Sequence, residues 1–474
     1  MAGDREFDVI VIGAGSTGEN VADRAVKGGL TACVVEAELV GGDCSYWACM
    51  PSKALLRPMQ LLTAARRVAG AREAATGELD VPAVLRRRDG FTSHWNDEGQ
   101  VRWLEGAHID LFRGHGRLAG ERRVEVSADG GTVSLIARQA VAVATGSEPA
   151  LPPIPGLAEA APWTTRDATS AQAAPGRLVV LGGGVAGCEL AQAWSSLGSR
   201  VTVIEMAERL LPIYEPFVGE LVAAGMGEAG IDVRVGIGAE RVARTSSGEV
   251  TVRLADGTEI AADTLLVAAG RRPRTAELGL ETVGLKPGSW LDVDDSMSVR
   301  GIEGGWLFAA GDVNHRVLLT HQGKYQARVC GDAIVARSRG EATGTPWSKL
   351  AATADHRAVP QVVFTDPEVA AVGLSEAQAR AAGLHVRAVE YEIGNVSGGA
   401  LFADDYRGRA RMIVDEDRRV IVGLILVGPG VGELIHAATV AVVGEVPLER
   451  LWHAVPCYPT MNEVWLRLLE AYGL

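Results

Sequence analysis

Cys44 and Cys49, separated by four residues, lie in a stretch (41–53) that reads Gly-Gly-Asp-Cys-Ser-Tyr-Trp-Ala-Cys-Met-Pro-Ser-Lys. The spacing differs from the Cys-x-x-Cys of redox or zinc sites. In an ideal helix, residues five apart have Cα atoms about 8.7 Å apart, whereas a disulfide needs them within roughly 6.8 Å. A closed Cys44–Cys49 bridge therefore requires a distorted helix, or one that begins inside the segment. Gly41 and Gly42 carry no Cβ and let backbone come close to a large ligand. A strained bridge backed by a ligand is redox chemistry rather than a staple. On spacing alone, two packed free cysteines at a helix start fit equally well.

Two glycine-rich units must position such chemistry. Residues 7–13 read as a buried parallel strand, Gly13-Ala14-Gly15-Ser16-Thr17-Gly18 as a turn, and a helix is predicted to about residue 27. A second strand, 31–35, ends in Glu36. The unit repeats: strand 177–181, turn Gly182-Gly183-Gly184-Val185-Ala186-Gly187, a helix through 197, and strand 201–204 ending in Glu205. Each acid stands 23 residues after the first glycine of its turn. This is the dinucleotide fingerprint: glycines for close pyrophosphate approach, a helix N-terminus for its charge, an acid for the ribose hydroxyls. Its repetition predicts two bound nucleotides. Glu205 favours a free ribose 2′-hydroxyl, hence NADH, because it repels a 2′-phosphate; nearby Arg209 keeps NADPH as the other reading.

The remaining chain sets the frame. At 474 residues there is room for about two to four domains. A net charge of −13 argues against nucleic acid and anionic membrane as partners. No apolar run is long enough to span a bilayer, and the charged N-terminal stretch lacks a signal-peptide core. A cytoplasmic protein is expected, in which a catalytic disulfide is ordinary and a structural one is not. Cys33 and Cys188 are expected to be packing. Helices are predicted at 54–68 and 82–105, with short strands at 116–127 and 132–137. Strand 141–144 ends in Thr145-Gly146, and the proline-rich 151–156 reads as a linker. Beyond the second unit come Ala269-Gly270-Arg271 and a strand, 307–310, ending in Gly311-Asp312. An acid at that end of a parallel strand is where such sheets contact ligands, although a turn acid is the plainer reading. From about residue 350, strands at 362–364, 386–393, 410–414 and 420–427, with helices at 432–443 and 462–469, predict a separate α+β domain.

With these motifs in place, the chain resembles, over essentially its full length, the flavin-dependent pyridine nucleotide–disulfide oxidoreductases: dihydrolipoamide dehydrogenase, glutathione reductase and mercuric reductase. The resemblance rests on Gly13-x-Gly15-x-x-Gly18 with Glu36, Gly41-Gly42-x-Cys44-x-x-x-x-Cys49-x-Pro51-Ser52-Lys53, and Ala144-Thr145-Gly146. It continues through Gly182-x-Gly184-x-x-Gly187-x-Glu189, Gly270-Arg271-x-Pro273, Gly311-Asp312, and Pro360 to Glu368. It implies an α/β fold with two Rossmann-like dinucleotide-binding domains and a C-terminal α+β dimerisation domain. FAD would occupy residues 1–156 and 281–348, NAD(P)H 157–280, and the homodimer interface 349–474. Electrons would pass from NADH through the flavin to a Cys44–Cys49 disulfide and on to a small disulfide or thiol-reactive substrate. Asp312 would meet the ribityl chain. Cys49 would be the flavin-side thiol and Cys44 the exchange thiol, with Lys53 and Glu189 paired beside the flavin. Gly42, Thr145, Gly146, Gly270 and Gly311 belong to the implied cofactor sites.

Two departures bear on the substrate. The family ends in His-x-His-Pro-Thr with a Glu three residues after the Thr. Here Pro459, Thr460 and Glu463 keep register, and Tyr458 takes the place of the acid/base His. A Tyr pKa is about 10, against about 6.5 for His, so Tyr458 donates a proton but is a poor base near neutrality. Dihydrolipoamide dehydrogenase-like thiol oxidation is thereby disfavoured. Tyr at this place resembles mercuric reductase, but the chain ends Tyr472-Gly473-Leu474 without that enzyme's vicinal cysteine pair. Cys457 is the candidate third thiol in a metal-reducing reading, since soft thiolates suit soft metals. A catalytically idle, NADH-sensing flavoprotein subunit is the alternative outside enzymes. Tyr46 and Trp47, between the cysteines, are bulkier than the family's residues there.

Overall fold

The structure is a computed structural model that describes residues 4–341 and 344–474; the start of the charged N-terminal stretch, residues 1–3, lies outside them. The chain divides into two compact units. One comprises residues 1–51, 89–150 and 271–355; the other comprises 52–88, 151–270 and 356–474.

The first unit is built on a seven-stranded sheet. Arg5–Ile12 pairs in parallel with Ala32–Glu36 on one side and Gly131–Val143 on the other. Ile109–Arg113 extends it beyond Ala32–Glu36. Arg123–Ala128 and His115–Leu118 add an antiparallel hairpin, and Leu307–Ala309 joins the last residues of Gly131–Val143. Its central strands, Val9–Ile12, Ala32–Val35 and Ala140–Val143, are almost entirely buried, as continuous apolar runs in a sheet covered on both faces must be. Sequence had predicted two strands where Gly131–Val143 runs unbroken. Arg138 and Gln139, which look like a break, are exposed positions on one strand, and a register shift between Phe7 and Val9 absorbs the irregularity. The helix predicted over 82–105 is two, Val81–Phe91 and Glu98–Gly106. Ser93, His94 and Trp95 between them all take positive φ, and Asn96 Oδ1 accepts the N–H of Glu98 to start the second helix.

Helix Thr320–Ser338, the longest among the described residues, was not visible in the sequence. It buries Gln322 and Gln326 along with its apolar residues, so no clean stripe of apolar side chains marks it. It packs on Ser16–Lys27, the helix behind the first glycine turn. At Gly331 a Cβ would fall 2.4 Å from Arg24 Cβ, and Arg24 is fixed by Asp332 at 2.6 Å.

The second unit carries a parallel sheet ordered Asp232–Arg234, Arg200–Ile204, Arg177–Leu181, Thr264–Val267, and a three-stranded antiparallel sheet over Ala239–Ala262. It also holds a five-stranded antiparallel sheet: Pro360–Val363, Glu368–Gly373, Val420–Gly428, Arg409–Asp415, Val386–Glu392. Strand Glu368–Gly373 is an addition to the predicted set. Helix Glu463–Tyr472 lies against this sheet. No helix among the described residues is long and apolar enough to cross a membrane.

Candidate active site

The two glycine turns are built to one plan. Gly13 and Gly182 take φ of +98° and +111°, and a Cβ on either would fall 2.5 Å from a carbonyl oxygen, that of Ala144 or Ala268. Gly18 and Gly187 lie in the first turns of helices Ser16–Lys27 and Val185–Ser196, where a Cβ would fall 1.9 Å from the oxygen of Gly13 or Gly182. The acids explain the shared spacing. Glu36 accepts the N–H of Ala14 at 2.7 Å with one oxygen and that of Glu38 at 2.8 Å with the other. Glu205 accepts Gly183 N–H at 2.6 Å and Ala207 N–H at 2.7 Å. Each carboxylate thus pins its glycine turn to the end of the second strand, and each oxygen retains lone-pair capacity for a ribose hydroxyl. Burial pushes Glu36 above the usual carboxylate range.

The cofactor fit can be tested on the protein alone. Beyond Gly184 a Cβ would meet nothing within 4 Å, which leaves open space at the turn. In the first unit, Thr145 Oγ1 is buried without a hydrogen-bond partner, a hydroxyl waiting for a ligand group at the end of strand Gly131–Val143. Buried orphans of this kind call for such an explanation. Both observations suit bound dinucleotides. Gly42 abuts the first turn, since its Cβ would lie 2.8 Å from Gly15 Cα.

The cysteine segment meets the condition set by its spacing. Helix Gly42–Tyr46 ends at Trp47, whose φ of −137° is not helical, and helix Cys49–Arg66 starts afresh at Cys49. The break brings the two side chains together. Both are thiols, both are half-buried, and they are hydrogen-bonded to each other. That hydrogen bond, with burial behind it, holds the Cys44 thiol above its ordinary range, while Thr320 and Lys324 pull the other way. Cys49 Sγ lies 3.2 Å from Thr320 Oγ1. Thr320, on the unpredicted helix, is a site residue that sequence reading missed; its only signal was its place eight residues after Asp312. Exposure does not separate the two thiols within one chain.

Asp312 sits in a polar cluster at the end of Leu307–Ala309. Ser147 Oγ donates to Asp312 Oδ2 at 2.6 Å. Arg271 donates to Ser147 Oγ at 2.6 Å, to Ser147 O at 2.8 Å, and to Asp43 Oδ2 at 3.2 Å. Its guanidinium is 3.7 Å from Asp312. Burial raises the Asp312 carboxyl, and Ser147 and Arg271 oppose it. Gly270-Arg271 therefore matters through its arginine, which ties Asp312 to Asp43, the neighbour of Cys44. Neither Asp43 nor Ser147 was singled out from the sequence. Gly146 has φ of +71°, and Gly311 has φ of +80°.

Four residues after Cys49 on the same helix, Lys53 Nζ pairs with Glu189 Oε2 at 2.6 Å. Glu189 is 3% exposed, and its other oxygen accepts the N–H of Phe364 at 2.9 Å. Lys53 Nζ lies 4.9 Å from the centre of the Phe364 ring. Tyr458 and Glu463 are not joined in the chain: Tyr458 is 77% exposed, while Glu463 is buried and accepts the N–H of Gly398 at 3.1 Å. Cys457 is exposed; Cys33, Cys188 and Cys330 are buried, with thiols raised by burial.

Two dinucleotide turns, a dithiol across a helix break and a five-stranded antiparallel sheet define a nucleotide-dependent dithiol oxidoreductase. Residues 7–328 match the family described as pyridine nucleotide-disulphide oxidoreductase, and residues 359–468 match its dimerisation domain. Dihydrolipoyl dehydrogenase 3 of Pseudomonas aeruginosa is 36% identical over 478 residues, covering 96% of this chain and 94% of that one. A mercuric reductase of Staphylococcus aureus is 30% identical over 464 residues, covering 97% and 81%. The crystal structure of LpdA from Mycobacterium tuberculosis shares the fold, with a TM-score of 0.84 at 24% identity, covering 99% of this chain and 100% of that one. The chain belongs to the pyridine nucleotide-disulphide oxidoreductase family: it is an NAD(P)H-dependent flavoprotein oxidoreductase with a dimerisation domain.

Proposed function

We propose that the protein uses NADH to reduce a small disulfide or another thiol-reactive substrate through Cys44 and Cys49. The observation that carries this reading is the contact of the two thiols across the helix break, with Thr320 hydrogen-bonded to Cys49. FAD would be held in residues 1–156 and 281–348 by the Gly13–Gly18 turn, Glu36, Thr145 and Asp312. NADH would be held in 157–280 by the Gly182–Gly187 turn and Glu205, with 349–474 as the homodimer interface. When bound, the two cofactors supply a two-electron path from NADH to sulfur.

The residues do the rest. Cys44 as thiolate attacks one sulfur of the substrate disulfide, forming a mixed disulfide and expelling the other half as a thiolate, which takes a proton from solvent. Cys49 then attacks Cys44 Sγ, closing the Cys44–Cys49 bridge and releasing the second substrate thiol. Thr320, within reach of both sulfurs, donates to whichever is the thiolate. The half-burial of the pair limits access to small or extended substrates.

The test uses the flavin-loaded homodimer with 5,5′-dithiobis(2-nitrobenzoate). The parent should turn over with NADH. With the exposed Cys457 replaced by Ala throughout, reduced Cys49→Ser should release a single equivalent of thionitrobenzoate and keep the other half on Cys44, and Cys44→Ser should not turn over. Sustained turnover by Cys44→Ser would overturn the assignment.

A second reading, reduction of a soft metal ion, is favoured by Cys457 and Tyr458, which stand exposed side by side on the dimerisation domain, and by the relative named mercuric reductase. It requires that Cys457→Ala or Tyr458→Phe impair turnover of mercuric ion while leaving flavin reduction by NADH intact. Parent-like metal turnover in both variants removes it.

A further inference from the structure

Behind the Gly311-Asp312 turn runs a buried chain of polar side chains that the dithiol chemistry does not use. Helix Thr320–Ser338 points Gln322 and Gln326, four residues apart and so on one face, into the interior, where they are 5% and 0% exposed. Gln326 Oε1 accepts the N–H of Gly311 at 2.8 Å and Nδ2 of Asn314 at 2.8 Å. Its Nε2 donates to Asp355 Oδ2 at 2.9 Å, and Gln322 Nε2 donates to Asp355 Oδ1 at 2.9 Å. The Asp355 side chain is fully buried. Arg316 lies 3.7 Å from it and 3.0 Å from Asp295.

The amide at position 326 uses both of its functions. It offers an acceptor to the turn and a donor to the carboxylate at the same time, which neither a carboxylate nor an apolar side chain can do. The turn is also held from its other side, because Gly311 sits where a Cβ would fall 2.9 Å from Thr17 Oγ1, within the first glycine turn. Gly311 is thus clamped between the nucleotide turn and a buried carboxylate, one residue before Asp312.

We propose that Gln326 is a positioning residue for flavin: by bridging the N–H of Gly311 to the Asp355 carboxylate, it places Asp312 and thereby sets the affinity for FAD. This rests on the reading of Asp312 as a flavin ligand.

The test is FAD binding to the flavin-stripped full-length protein, followed by quenching of flavin fluorescence, with melting temperatures measured alongside. Asp312→Ala and Gln326→Glu should each weaken FAD binding at least about tenfold. Gln326→Glu keeps an acceptor for Gly311 but sets two buried carboxylates together. Adding Asp355→Asn to Gln326→Glu restores a donor opposite an acceptor and should return FAD affinity to within about threefold of the parent. Gln322→Leu removes the other donor to Asp355 without touching the turn; it should lower the melting temperature yet keep FAD affinity within about threefold. Should Gln326→Glu not fold, Gln326→Ser shortens the side chain without adding charge, with the same loss expected. Parent-like FAD affinity in the folded Gln326 variant, while Asp312→Ala loses affinity, would overturn the role of Gln326 alone. A parent-like Asp312→Ala would instead overturn the reading of Asp312. A double variant that regains melting temperature but not FAD affinity would overturn the bridge as the cause, and a Gln322→Leu protein whose FAD affinity falls with its melting temperature would make Gln326 merely structural.

Discussion

Gly187→Ala isolates the nicotinamide turn. The added Cβ would lie 1.9 Å from the carbonyl oxygen of Gly182, where carbon contacts are normally about 3.5 Å or more. The obstructing atom is backbone, so helix Val185–Ser196 must move away from the turn. Overpacking costs roughly 1–3 kcal/mol, and an immovable neighbour places this case in the upper part, about 2–3 kcal/mol. The better helix propensity of Ala returns at most about 1 kcal/mol. The free variant relieves this strain by displacing the helix and NADH binding must restore the turn, so the net, about 1–2 kcal/mol, becomes a loss of about 5- to 30-fold in NADH affinity. Gly18→Ala meets the same clash against Gly13 and serves as the mirror experiment. Both purified variants would be assayed for flavin content by absorbance and for NADH affinity by titration. Gly187→Ala should retain flavin and bind NADH more weakly; Gly18→Ala should lose flavin. A Gly187→Ala protein that lost flavin but kept parent-like NADH affinity would refute the assignment of the two turns.

Other substitutions test local electrostatics. Glu19 is raised by burial from 4.5 to about 7, with Lys324 opposing and Glu36 reinforcing the shift, and its Oε1 has no hydrogen-bond partner. A raised carboxyl costs stability once the unfolded form ionises, so Glu19→Gln should match the parent below about pH 4.5 and gain on it up to about pH 7. Above that the gain should level off at no more than about 3 kcal/mol, less where water reaches the carboxyl; a pH-independent difference in urea midpoint would contradict this. Lys53→Met leaves the buried Glu189 carboxylate with the N–H of Phe364. It should destabilise by about 1–3 kcal/mol, below the range for a fully buried pair because Lys53 is 34% exposed, and Lys53→Met/Glu189→Gln should recover part of this in urea denaturation. Arg271→Met removes the tie from Asp312 and Ser147 to Asp43 and should weaken FAD retention about tenfold on gel filtration; unchanged retention would show that the tie is dispensable.

The sequence was most legible where a pattern has one physical cause. The repeated offset from glycine to acid is the length needed for a carboxylate to return to its own turn, and Glu36 and Glu205 do so with near-identical geometry. The cysteine spacing made a bridge conditional on a distorted helix or a helix start inside the segment, and the break at Trp47 supplies the latter. Patterns disguised by buried polar groups were not legible. Helix Thr320–Ser338 hides its inward face behind Gln322 and Gln326, and with it went Thr320. Arg138 and Gln139 mimic a strand end because exposed positions on a long strand look like a turn. Asp43 and Ser147 acquire meaning only when Arg271, more than a hundred residues away, lies between them.

The central claim is that Cys44 and Cys49 form a redox pair coupled to the flavin. Its most direct test is an anaerobic titration of the flavin-loaded protein with NADH, then NADPH, followed in the visible spectrum. The expected result is a long-wavelength thiolate–flavin absorbance after one equivalent of NADH, absent in Cys49→Ser and weaker with NADPH at the same concentration. Bleaching of the flavin without that absorbance, or no response to either nucleotide, would contradict the claim and leave the two thiols outside the electron path.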